Sequence, residues 1–369
     1  MNKQFLKVLF KKIHRSILNN HKDNWDEFRF GEQPDPSWDI SEKLTDILKY
    51  LKYGINATGI AYFPSKAGNT DALELFSYLF SLLHEDRDRD LLIDLVAYRI
   101  LGYKKIRLIT NWADAKLEIS KLNRLADPTD SVVVKFNQMK LDRMDLNPIG
   151  IPIDFYFSPS GVYTDFTLEQ YKYQNGKTII KAQPGDYVID AGGCWGDTAL
   201  YFANAVGESG RVFTYEFIPS NLLILRKNLS LNPKLESRVT IVPNPVWSSS
   251  SLNLQFNDNG PGSRVFFEGD GEADGIVETL SIDDLVASKE IEKIDFIKMD
   301  IEGAEPHALA GAIKTIQRFR PSMAIAIYHN TDDFYTIPKF IADLGLGYKF
   351  HLGHYTIHRE ETILFATAR

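Results

Sequence analysis

Two stretches of this 369-residue chain gather residue types that could bind and activate a small molecule. The first is Val188-Ile189-Asp190-Ala191-Gly192-Gly193-Cys194-Trp195-Gly196-Asp197, an apolar run entering a glycine-rich turn, with a helix predicted to begin near Thr198. Glycines let the chain take positive φ and let a ligand lie against the main chain, while the N–H groups of a helix start favour an anion such as a carboxylate. Asp190 and Asp197 flank the turn. Glu216 follows the last glycine by about 20 residues, where doubly wound folds set a carboxylate against ribose hydroxyls. After the next apolar run comes Pro243-Asn244-Pro245, whose amide could meet an adenine edge, although Asn beside Pro also suits any turn. A tight strand-to-helix turn with no ligand is the alternative to all of this.

The second stretch is Ile294-Asp295-Phe296-Ile297-Lys298-Met299-Asp300-Ile301-Glu302-Gly303-Ala304-Glu305-Pro306. An apolar strand there delivers Asp300, Glu302 and Glu305 at its C-terminal end, the edge at which open α/β sheets bind ligands. These acids could hold a cation, take a proton from a hydroxyl, or cap a helix predicted from Pro306 to Arg318. Capping suffices for Glu305. His329, just after Tyr328, could act as a general base or metal ligand, or be an ordinary polar strand end. Strand alternation puts His351 and His354 on opposite faces, so at most one of them, with His358, would face a site.

Charge chooses between ligands. Ala191, Gly193 and Gly196 partly imitate the dinucleotide fingerprint, but its first glycine is missing and Asp190 would repel a pyrophosphate. S-adenosylmethionine instead carries a sulfonium and an ammonium, which the acids Asp190, Asp197 and Glu216 would favour.

The elements that must position these residues follow from the pattern of apolar runs. Strands are predicted at 187–189, 212–215, 239–242, 296–299 and 323–328, separated by helical stretches, as in a parallel sheet with crossover helices. Two further runs at 348–352 and 362–366 read as a terminal antiparallel hairpin. This gives an α/β class with a Rossmann-like seven-stranded sheet over 151–369. Residues 1–150 are predicted to be a mainly helical lobe, open to substrate or oligomer contacts, from the spacing of Leu44, Ile47, Leu48 and Leu51, of Leu73, Phe76, Leu79, Phe80 and Leu83, and of Leu91, Leu92, Leu95 and Ile100. Breaks are expected at Pro64, Gly68 and Asn69, and the charged run 85–90 reads as a solvated helix start. From 110 to 177 the pattern is mixed, with β-like runs at 132–136 and 153–157.

Composition bounds the rest. An apolar share of 44% and a charged share of 25% suit a soluble globular protein, and a net charge of −7 argues against nucleic acid as a partner. The lone Cys194 excludes an intrachain disulfide and fits a cytoplasmic setting. The first segment carries Lys3, Lys7, Lys11, Lys12, Arg15 and Lys22 with no carboxylate before Asp23, and reads as a basic amphipathic helix. Such a helix either docks on its own protein with a solvated basic face, the commoner case, or contacts an anionic membrane surface.

The segments 190–197 and 295–305, with Tyr328-His329, Glu169-Gln170-Tyr171-Lys172-Tyr173 and Asp283-Asp284, resemble the FkbM-type S-adenosylmethionine-dependent methyltransferases over about 170–366. The resemblance implies a class I methyltransferase fold and O-methylation of a hydroxyl on a sugar, glycan or related natural product. It implies a cofactor set of Tyr171, Asp190, Gly192, Gly193, Gly196, Asp197, Glu216, Asn244 and Asp300, with Asp300, Glu302 and His329 as catalytic residues. Related sugar O-methyltransferases use a divalent cation on strand-end carboxylates, so Mg2+ enters as a candidate with no ligands assigned. Two alternatives stand beside this: an N-methyltransferase on the same fold, and a non-catalytic glycan-binding or assembly module.

Overall fold

A computed structural model describes residues 1–21, 23–26, 72–108, 112–268 and 273–368. Lys22, the heptad-like run Leu44, Ile47, Leu48 and Leu51, and the breaks at Pro64, Gly68 and Asn69 lie outside them. The chain separates into two compact units. One comprises Met1–Leu117, Ile327–Phe340 and Lys349–Ile363, and the other Glu118–Ala326, Ile341–Tyr348 and Leu364–Arg369.

In the first unit, helix α1 (Lys3–Ser16) buries Phe5, Leu9 and Ile13, and the Phe5 ring meets Phe80 edge-on at 5.5 Å. Its Lys3, Lys7, Lys11 and Arg15 point to solvent, as a docked amphipathic helix requires. Helices α2 (Ala72–Leu82) and α3 (Asp86–Leu101) follow the predicted apolar spacing. The charged run that opens α3 is not all solvated: Asp88 is fully buried, 3.3 Å from His351 Nδ1. His351 and His354 are both buried. Both faces of their strand are covered, and His354 Nδ1 meets the Thr362 hydroxyl at 3.0 Å. No helix among the described residues is long and apolar enough to cross a membrane.

The second unit opens with α4 (Trp112–Leu122), which begins in the first, and an antiparallel sheet of β1 (Ala126–Val133), β2 (Lys140–Asp145) and β3 (Asp154–Phe157). The hairpin β4 (Tyr173–Asn175) and β5 (Thr178–Ile180) leads to the main sheet. That sheet contains β6 (Tyr187–Ala191), β7 (Arg211–Tyr215), β8 (Val239–Val242), β12 (Phe296–Met299), β13 (Ser322–Ala326), β14 (Lys349–His354) and β15 (Thr362–Thr367). Its order is β14-β15-β13-β12-β6-β7-β8, parallel from β13 to β8 and closed by antiparallel C-terminal strands. The class I methyltransferase arrangement predicted from the sequence is therefore present. Order reverses beside β6, whose neighbours are β7 and β12, and this is the switch point at which such sheets bind ligands.

Several features were not predicted, the β4–β5 hairpin among them. A three-stranded antiparallel sheet of β9 (Asn253–Phe256), β10 (Val265–Phe266) and β11 (Gly275–Glu278) is inserted after β8. The single helix predicted from Pro306 to Arg318 is two, Glu305–Ala310 and Ile313–Phe319. The break falls at Gly311, where a Cβ would lie 2.0 Å from the Trp247 carbonyl oxygen, so that segment's close approach requires glycine there.

Candidate active site

The site is built where β6 and β12 end side by side. Their register pairs Asp190 with Lys298 and Ala191 with Met299, so the glycine turn and the acidic loop leave adjacent strands at the same level. Gly192, at φ +94°, comes so close to that loop that a Cβ would lie 2.0 Å from the Asp300 carbonyl oxygen. A Cβ on Gly193 would lie 2.1 Å from Thr214 Oγ1. These two glycines are thus demanded by protein neighbours before any ligand arrives.

Three N–H groups of the turn ahead of the helix start are used within the protein. Gly192 and Gly193 both donate to the Tyr215 carbonyl, at 3.1 and 2.9 Å, and Gly196 donates to the Gly193 carbonyl at 2.7 Å. Cys194 takes φ 39°, a left-handed conformation rare for a side chain with Cβ, and Gly196 takes φ +89° as N-cap of α5 (Asp197–Val206). Loss of solvent, then the charges of Asp197 and Glu216, push the Cys194 thiol well up, so it is held neutral.

Asp190 is fully buried and anchors the turn. It accepts from Thr198 Oγ1 at 3.0 Å and Thr214 Oγ1 at 2.8 Å, and pairs with Lys298 Nζ at 3.2 Å. Lys298 also donates to the Ala191 and Gly192 carbonyls, at 3.2 and 2.6 Å, so its three protons all have acceptors. Burial works against the Lys298 charge, but Asp190, Asp300 and Asp197 outweigh it and raise its pKa. The ammonium therefore stays charged inside the protein.

Asp197 is buried in the first turn of α5, and burial pushes its carboxyl up despite the Lys298 charge. Its side chain hydrogen-bonds Asp165, itself buried, from the irregular helical turn Tyr163–Thr167. Such wide turns recur at functional sites. Glu216, at the end of β7, is 6% exposed. Its Oε1 accepts from the Phe217 and Ile218 N–H groups, both at 2.7 Å, and its Oε2 from Asn221 Nδ2 at 3.2 Å. Burial nevertheless pushes its pKa up to about 7 from an ordinary 4.5. Asn244 donates to the Glu278 carbonyl at 2.8 Å and so ties the β8 end to the inserted sheet.

In the acidic loop, Asp300 accepts from the buried Tyr171 hydroxyl at 3.0 Å. Glu302 sits at φ 57°, a second left-handed non-glycine position, and its Oε2 meets Arg264 at 3.4 Å. Strained positions of this kind concentrate where geometry matters for function. Glu305 is fully buried and accepts from the Ile301 N–H at 2.8 Å, a bond within the loop ahead of its helix; the helix's N-cap is Ala304, with no side-chain cap, so the capping expected of Glu305 is not made. His329 follows β13 by three residues in the other unit, its ring 4.2 Å from that of Tyr328.

Residues 179–350 match the profile of the Methyltransferase FkbM domain. The chain carries a methyltransferase FkbM domain. Among solved structures, a methyltransferase FkbM from Methylobacillus flagellatus KT shares 18% identity over 80% of this chain, with a TM-score of 0.51, which is a likeness of fold. This chain spans 58% of that protein's length. An S-adenosylmethionine-dependent O-methyltransferase from Thermotoga maritima, at 15% identity and TM-score 0.35, covers 68% of this chain and 96% of its own. A fibrillarin from Aeropyrum pernix, at 15% identity and TM-score 0.36, covers 64% and 93%. No curated protein matches the sequence.

A methyltransferase domain of this family implies S-adenosylmethionine as donor, and the side chains can be tested against it. Asp197, Glu216 and Asp300 offer acceptors, while the N–H groups of Gly192, Gly193 and Gly196 are used internally. A ligand rich in donors, with an ammonium and ribose hydroxyls, fits this balance; a pyrophosphate does not.

The sequence reading of the methyltransferase site passed over Thr198, Thr214, Asn221 and Asp165. Lys298 it listed without a role. One signal was available: a lysine in the middle of Phe296-Ile297-Lys298-Met299 is a charge in an apolar strand, which demands a buried partner.

Proposed function

We propose that this chain transfers a methyl group from S-adenosylmethionine to a hydroxyl on a sugar, glycan or related natural product. The acceptor-rich, donor-poor edge formed by Asp197, Glu216 and Asp300 around the β6 turn carries this reading. Bound there, the cofactor supplies an already activated methyl group on a sulfonium. The protein then has to bind, align and handle one proton. Glu216 and the turn hold the nucleoside side, and Asp197 faces the ammonium side.

Asp300 stands next to Gly192, within reach of an acceptor laid against the turn, and takes or orients the hydroxyl proton. Tyr171 donates to Asp300 and fixes its direction. Glu302, steadied by Arg264, belongs to the acceptor side in this reading. Alignment supplies most of the acceleration, because the donor needs no further activation.

The test is calorimetric titration of the purified protein with S-adenosylmethionine and, separately, NADH, followed by turnover assays on sugar hydroxyl acceptors with and without magnesium. Micromolar binding of the first alone, and a methyl ether in the product, are expected. Methylated nitrogen in the product would replace the hydroxyl reading, and binding of neither cofactor would favour a non-catalytic module.

A further inference from the structure

Helix α1 has two faces of different chemistry. Phe5, Leu9 and Ile13 are buried on one, and the helix is tied down at both ends. At its start the Asn2 N–H donates to the Ser77 hydroxyl of α2 at 2.6 Å, and past its end the His21 N–H donates to the Lys104 carbonyl at 2.8 Å. Lys12, on the flank, meets Asp94 of α3 at 2.6 Å. The outer face is therefore presented by a docked helix.

That outer face carries Lys3, Lys7, Lys11 and Arg15, all exposed and each four residues from the next. Residues at this spacing are neighbours on a helix, and like charges there repel. Lys3 also stands at the positive N-terminal end, with no acid in the first turn to offset it. None of the four forms an ion pair among the described residues. Such a ladder works against the stability of its own helix, and a surface of mixed sign would avoid it. Two large apolar side chains are left in water beside it: Phe10, one turn from Lys7, is 40% exposed, and Leu18, two residues past the helix, is 83% exposed.

We propose that the outer face of α1 rests on an anionic lipid surface, with the four cations against the phosphate headgroups and Phe10 and Leu18 entering the acyl boundary. The apolar pair selects lipid over nucleic acid, because a phosphodiester backbone rewards the charges and gives nothing to Phe10 or Leu18. The buried face of the helix stays on the protein, so the contact is peripheral and reversible. With a net charge of −7 the chain as a whole is repelled by such a surface, and attachment depends on this face. The surface is independent of the methyl-transfer reading.

The experiment is flotation of the full chain with vesicles of mixed phosphatidylglycerol and phosphatidylcholine, and with vesicles of phosphatidylcholine alone, at low and at high salt. Binding to the mixed vesicles only, weakened by salt, is expected. Lys7→Gln combined with Lys11→Gln should weaken that binding about 25-fold, at about 5-fold per cation near a charged surface. Phe10→Ser combined with Leu18→Ser should weaken it at least about 10-fold. A wild-type protein that ignores the mixed vesicles, or binds both kinds equally, would overturn the proposal, and neither result needs a variant to fold. So would a DNA duplex bound as tightly as the mixed vesicles, with Phe10→Ser and Leu18→Ser changing neither affinity, which would assign the face to nucleic acid.

Discussion

Lys298 Nζ and Asp190 Oδ1 lie 3.2 Å apart with 1% and 0% of their side chains exposed, joining two adjacent parallel strands beneath the glycine turn. Removing one charge leaves the other buried without its partner, which costs about 3–5 kcal/mol. Lys298→Met should lower the urea unfolding free energy by that amount, whereas Lys298→Met combined with Asp190→Leu should lose less than the single change. Equal losses would show that the lysine's bonds to the Ala191 and Gly192 carbonyls, rather than the ion pair, carry the effect.

Glu216 should make stability depend on pH in a stated direction. Its pKa in the folded protein is raised from 4.5 to about 7 by burial, so the native state holds this proton more tightly than the unfolded chain. Its contribution is full below about 4.5 and is lost as pH rises through about 7, a change of roughly 3 kcal/mol. Glu216→Gln should therefore be the more stable protein at pH 8, with the difference vanishing near pH 4.5, and should bind S-adenosylmethionine poorly. Parallel stability-against-pH curves for the two proteins would refute this.

Asp300 and Tyr171 separate chemistry from binding. Asp300→Asn should cut turnover by at least about 100-fold, the lower range for a general base, while leaving cofactor affinity within a few-fold. Tyr171→Phe removes one hydrogen bond to Asp300 and should cost about 1 kcal/mol of stability with a smaller fall in kcat. Full turnover in Asp300→Asn would remove Asp300 from the proton step.

Gly192 tests whether the turn is set by its neighbours. Alanine there meets both a φ of +94° and the Asp300 carbonyl, so Gly192→Ala should destabilise the ligand-free protein by about 2–4 kcal/mol. Thermal unfolding without ligand is the measurement. A loss seen only in cofactor affinity would mean that the glycine serves the ligand instead.

The sequence by itself determined the sheet and the carriers of chemistry. Apolar runs at 187–189, 212–215, 239–242 and 296–299 suit burial on both faces of a covered parallel sheet, and this local pattern is read without knowing any partner. The glycine turn and the acids at 190, 197, 216, 300 and 302 were visible because they interrupt that pattern at strand ends. Tertiary structure alone decided what each of these residues does. Asp190 became an anchor because Lys298, 108 residues away in sequence, is its neighbour across a parallel register. The glycines answer to the Asp300 carbonyl and the Thr214 hydroxyl, which come near only when β12 and β7 flank β6. The orientation of the buried Asn221 amide is set because Glu216 and the Gly260 carbonyl together claim its nitrogen. Local spacing fixes where a side chain leaves the backbone, whereas its charge state and its remaining hydrogen-bonding capacity depend on desolvation and on partners that only the folded chain brings within reach.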